Sequence, residues 1–415
     1  MRLWVTLGLI GALGCADRTS AYAQGLAINN DWPKVADECG DVVSPPPPPP
    51  PPDAWWKRTI ACASGVFTAR PVHPTVKTTA PGGGLGVGPT FEIDANNGKW
   101  QDKIVGTAAR SFSGFWFADV AFRATHDAFG RGTSARDRFA IDVYNKVRSL
   151  PELPFYGLGP NSSLGDLGSF SERDDHLGVD LFNPFSANLA AGARVESIWT
   201  SIADETGSGI TPLSVAFTEA TAPGLTTQPN LIHLQAYVKP RPARHVERAD
   251  YTVSYDAYVD HGTGHYSFQR FEINGSHTIH FTDQVESFLT ITDRVSFARA
   301  STGHAVPFFL QETLGGSDID NSPSLRGFKD YRFRGPDLAT AEVSYDQHVW
   351  AFIGAVGFYD FGQVATRISE FSSSHLRQSY GLGVTVWAGD RVWLRASWGY
   401  SAAEGRHFYL GIPAF

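Results

Sequence analysis

At 415 residues, with 42 Gly, 28 Phe, 14 Tyr and 11 Trp against one Met and only 18% charged residues, the chain has the composition of short strands, tight turns and aromatic belts. A helical enzyme would look different. The 34 Lys and Arg against 42 Asp and Glu leave a net charge of -8, which excludes a basic field able to hold nucleic acid by its phosphates.

The N-terminus reads as an export signal over residues 1–23: Arg2, an apolar run from Leu3 to Gly14, then Ala21-Tyr22-Ala23, so that the mature chain starts at Gln24. Cys15 follows Ala12-Leu13-Gly14, a loose likeness to a lipoprotein site that Leu13 fits poorly. No later apolar stretch reaches the ~20 residues of a spanning helix, so an integral protein must be a barrel. Residues 24–71 are expected to be a disordered, proline-rich periplasmic spacer. Pro45 to Pro52 is an unbroken run that extends about 25 Å as a left-handed helix. Cys39 and Cys62 flank it, and either a disulfide or two free thiols is compatible with their spacing.

From Val72 to Phe415 strand-like runs alternate with Gly, Asp, Asn, Ser and Pro clusters, about sixteen in all. In Arg391 to Tyr400 the residues Val392, Leu394, Ala396, Trp398 and Tyr400 share one face, with Trp393, Arg395, Ser397 and Gly399 on the other. Tyr380 to Trp387 and Tyr251 to Asp260 repeat the pattern. A soluble sandwich would alternate too. The export signal and the last strand favour a transmembrane antiparallel β-barrel occupying 72–415. Its terminal run holds Phe408, Tyr409 and Gly411 and stops on Phe415, which resembles an outer-membrane sorting signal read by the machinery that inserts such barrels.

Between Val306 and Phe415 several motifs follow in order: Val306-Pro307-Phe308-Phe309, Leu314-Gly315-Gly316, Leu325-Arg326-Gly327-Phe328, and Tyr331-Arg332-Phe333-Arg334-Gly335. Strands bearing Glu342, Phe358-Tyr359-Asp360-Phe361-Gly362 and Tyr380-Gly381-Leu382-Gly383 come next. This region resembles the BamA/TamA family (bacterial surface antigen) of outer-membrane assembly and translocation proteins. The resemblance is strong after Val306 and looser back to Val72. It implies protein insertion into, or translocation across, the outer membrane, working through the pore and the seam between first and last strands. It implies no covalent chemistry, cofactor or metal. Expected partners are outer-membrane lipid, the assembly machinery and client proteins. The family's client-binding POTRA domains do not fit into 24–71, so the competing expectation is a passive pore or structural barrel.

An Arg-tipped loop folded into a lumen needs fixed carboxylates. Glu342 is the first candidate for Arg326, because its neighbours Val343 and Tyr345 suit lipid. Asp360 is the second, although Val356 and Phe358 share its parity, which suggests a bulge there. Arg332 and Arg334 are expected to matter far less. Gly84-Leu85-Gly86-Val87-Gly88 lacks nucleotide-loop spacing, His277-Thr278-Ile279-His280 lacks zincin spacing, and no nucleophile elbow occurs, so an enzyme is not expected.

Overall fold

A computed structural model describes residues 29–43, 55–97, 100–126, 138–186, 188–205, 207, 209–240, 247–281, 287–317, 324–388 and 391–411. The export signal, Cys15, the run Pro45–Pro52 and Phe415 lie outside these.

The expectation of disorder does not hold in the described part of residues 24–71. Helices α1 (Trp32–Val43) and α2 (Trp55–Val66) flank the proline run, and Cys39 is bonded to Cys62 with Cα atoms 4.8 Å apart. The start of α1 carries its own signal: Trp32 N donates to Asn30 Oδ1 at 3.2 Å, and Pro33 sits in the first turn, where its missing donor costs nothing. Twelve residues are too few for a stable isolated helix. The disulfide and the packing of buried Val35 near Gly65 supply what propensity lacks.

The wall begins with β1 (Val72–Thr78), β2 (Leu85–Asn97), β3 (Trp100–Ser111), β4 (Trp116–His126), β5 (Phe139–Phe155), β6 (Gly168–Ser186) and β7 (Leu189–Asp204). After the stub β8 (Thr211–Pro212) and the short helix α3 (Leu213–Ala216), it continues through β9 (Asn230–Pro240), β10 (Glu247–Asp260), β11 (Phe268–His280) and β12 (Ser287–Ala300). A small inner pair, β13 (Glu312–Leu314) and β14 (Phe333–Gly335), interrupts the series. It closes with β15 (Asp337–Trp350), β16 (Ile353–Ala365), β17 (Arg377–Ala388), β18 (Arg391–Ser401) and β19 (Gly405–Gly411). Each wall strand pairs antiparallel with the next, giving a nearly closed barrel of 16 strands. Among the described residues no paired register joins β19 back to β1, so the ladder has a seam.

Alternation along the strands sorts the side chains as period-2 geometry requires. On β17, Leu382 is 73% exposed while Ser379 and Thr385 are fully buried in the lumen. Trp398 and Phe408 meet at a tilt on the outside with centroids 5.1 Å apart, beside exposed Tyr380 and Tyr400. Phe281 and Tyr345, also exposed, meet with centroids 6.0 Å apart, and Trp350 is exposed at the end of β15. Among the described residues no helix is long and apolar enough to cross a membrane.

This belt can be separated from ordinary surface. Val215 on α3 is 72% exposed, nearly the same as Leu382, but it lies among the loops. Leu382→Lys is expected to cost about 2–4 kcal/mol in a bilayer, whereas Val215→Lys should be nearly neutral. Denaturant midpoints of the protein refolded in phospholipid vesicles read the difference, and equal effects would remove the lipid-facing assignment.

At the end carrying the long loops, the lumen holds a core like that of a soluble protein. Phe115, Phe155, Phe170, Leu213, Phe308, Phe309 and Tyr331 pack together there from three separate connections and the strand ends. Phe308 meets Phe155 and Phe170 edge-on, each at 5.1 Å. The barrel is therefore filled with apolar side chains at that end.

Candidate functional site: the loop latched inside the barrel

The connection between β12 and β15, residues 301–336, turns inward. The pairing of Glu312 with Gly335 and Leu314 with Phe333 makes it a hairpin. Leu325 and Tyr331 adopt φ values of 56° and 55°, costly for side chains with a Cβ. Their surroundings hold them there: Gly316 N donates to Leu325 O at 3.0 Å, and Tyr331 N to Gly315 O at 3.2 Å. Leu314, Leu325, Phe328 and Phe333 then pack on Leu338 and Val364 of the wall.

This packing delivers Arg326, 2% exposed, to the inner face of β15 and β16. Its Nε donates to Asp360 Oδ2 at 3.1 Å and its Nη2 to Oδ1 at 2.7 Å, a two-pronged pair. Glu342 Oε1 lies 2.5 Å from the same Nη2. Asp360 also accepts the Arg326 backbone N–H at 2.9 Å and the Ser379 hydroxyl at 3.1 Å. The guanidinium lies over the Phe358 ring, 3.4 Å from its centroid.

Both carboxylates singled out from sequence thus meet Arg326, but the two-pronged partner is Asp360, which ranked second. The expected bulge is absent. Glu342 stands directly opposite Asp360 in an unbroken register, and Val356, Phe358 and Asp360 all face inward. Phe358 is at home in the lumen because the Arg326 guanidinium of the loop covers its ring.

Gly327 is next to the pair. A Cβ there would lie 2.5 Å from Tyr400 C, 2.6 Å from Ser379 Cβ and 2.7 Å from Ser401 N. Its carbonyl accepts from Ser401 Oγ at 2.6 Å, and the Phe328 carbonyl accepts from Tyr409 Oη. Of the terminal-strand residues, Phe408 faces outward, Tyr409 reaches the loop, and Gly411 pairs with Arg395.

Arg332 and Arg334 are not solvated charges either, being only 6% and 3% exposed. Arg332 Nε bonds Glu404 Oε1 at 2.5 Å, and its Nη1 and Nη2 bond Ser162 Oγ and O at 2.9 and 2.8 Å. Arg334 donates to the Phe308 carbonyl at 2.8 Å and lies among Phe155, Phe170 and Phe308. Glu404, Ser162 and Ser379 were missed by sequence reasoning. The inward parity of Ser379 on β17 was the one signal available, and nothing local marks the other two.

The molecule so defined is a membrane β-barrel braced by its own loop, whose first and last strands share no paired register among the described residues. Its fold is of the BamA type. BamA from Haemophilus ducreyi lacking POTRA domains 1–3 matches with a TM-score of 0.52 and 11% identity, covering 82% of this chain and 68% of that one. CdiB from Acinetobacter baumannii (TM-score 0.48, 10% identity, 79% of this chain and 57% of that one) and CdiB from Escherichia coli (0.48, 12%, 82% and 61%) are also similar. The chain spans less than two thirds of either CdiB. No described sequence family and no curated protein matches.

Proposed function

We propose that this protein resides in the bacterial outer membrane, with its N-terminal helices in the periplasm, and inserts or translocates other proteins there. The observation that carries the reading is the seam: β1 and β19 are short, and each has an edge without a paired register among the described residues. Unpaired edges are templates for an incoming strand. A passive pore is the less favoured reading, because the long-loop end of the lumen is filled by the aromatic core and the latched loop. No bond-making chemistry is proposed.

Depletion of the protein in its own bacterium, followed by an inventory of the outer-membrane proteome, tests this. Selective loss of particular outer-membrane or secreted proteins is expected. An unchanged inventory with reduced uptake of small solutes would replace the reading with that of a pore.

A further inference from the structure

Successive residues of a strand in an antiparallel ladder direct their backbone groups alternately to the two sides. The Pro71 carbonyl accepts from Glu92 N of β2 at 2.7 Å, and the register continues with Val72 opposite Phe91. Val72, Pro74 and Val76 therefore turn their backbone groups away from β2, toward the seam. Two of these positions are already blunted. Trp32 Nε1, at the start of α1, donates to the Val72 carbonyl at 2.9 Å. Pro74 has no N–H to offer, and its carbonyl lies 3.1 Å from His73 Nδ1.

Trp32 does not reach this edge by accident of a loose terminus. Asp31, beside it, accepts from Arg70 Nε at 2.8 Å, while Asp31 N donates to Arg70 O at 3.0 Å. Arg70 Nη1 bonds Asp94 of β2 at 2.5 Å, which ties the helices to the barrel wall. The hydrogen bond from Arg70 holds the Asp31 carboxyl below its usual range.

We propose that the disulfide-tied helix pair is a guard on the seam. It occupies the open edge of β1 at Val72 and, with Pro74, withholds that half of the strand from an extended peptide until the helices undock. The guard rests on the reading of the seam as the working site, and its partner is a polypeptide segment adding as an antiparallel strand.

The test uses the full chain in phospholipid vesicles and, as probe, a photo-crosslinking peptide with the sequence of residues 405–411. Trp32→Phe keeps the ring and removes the donor, while Arg70→Gln breaks the clasp. Capture on β1 should rise roughly three- to tenfold in Trp32→Phe, the scale of one lost hydrogen bond, and at least as much in Arg70→Gln. Amide exchange of Ile353–Ala365 in β16 should stay as in wild type, showing that the barrel remains folded. Equal capture by all three proteins overturns the guard. The capture difference persisting beside an unchanged client inventory would leave the guard standing and remove the insertion function. Equal capture beside a lost client inventory would do the reverse.

Discussion

Arg326→Ala is expected to destabilise the folded barrel by about 3–5 kcal/mol, because it leaves Asp360 and Glu342 facing each other in a buried site with their cation gone. The measurement is the temperature at which the compact, fast-migrating form is lost in detergent gels, checked by denaturant titration in vesicles. Charge is the cause, so removing it should rescue. The triple variant Arg326→Met, Glu342→Gln, Asp360→Asn should recover much of the loss, since neutral amides have a smaller desolvation cost than unpaired carboxylates. Arg334→Met supplies the contrast. Its guanidinium sits among three phenylalanines, and an apolar side chain of similar volume suits that site, so a far smaller effect is expected. Wild-type stability in Arg326→Ala would reduce the latch to a contact without energetic weight.

Gly327→Ala should be nearly as damaging through sterics alone. The added methyl meets the backbone of Tyr400 and Ser401 in β18, which is locked in its ladder and cannot rotate away. Overpacking of this kind costs about 1–3 kcal/mol. The tip must also lift, which draws Arg326 out of its two-pronged seat, so the upper end of that range is expected. Gly165→Ala, where the nearest atom is Ser163 Oγ at 3.5 Å, should leave the melting temperature unchanged. If both alanines behave alike, the close approach at the loop tip has no consequence.

The barrel was legible in sequence because strand alternation is local: the parity of Tyr380, Leu382 and Val384 needs no knowledge of the partner strand. Arg326, Glu342 and Asp360 were legible through an ordered set of motifs. Parity alone points the wrong way for Asp360, because the assumption of a polar lumen fails where a loop fills it with Leu325 and Phe328. The burial of Arg332 was not legible, since Ser162 and Glu404 lie 170 and 72 residues away. The two N-terminal helices were hidden for another reason. Each is too short for its pattern to outweigh the proline run between them, and the bond that stabilises them depends on a pairing that spacing left open.

The bonds of the inner loop are unequal in what they cost the chain. Arg326 to Asp360 closes a circuit of 34 residues, and Arg332 to Ser162 one of 170. Closure entropy grows only with the logarithm of length, so the longer circuit costs about 1.4 kcal/mol more. The Arg326 latch thus belongs to a self-sufficient stretch of chain, β15 to β17 with the loop before them. The tie to the N-terminal half is the dearer of the two closures.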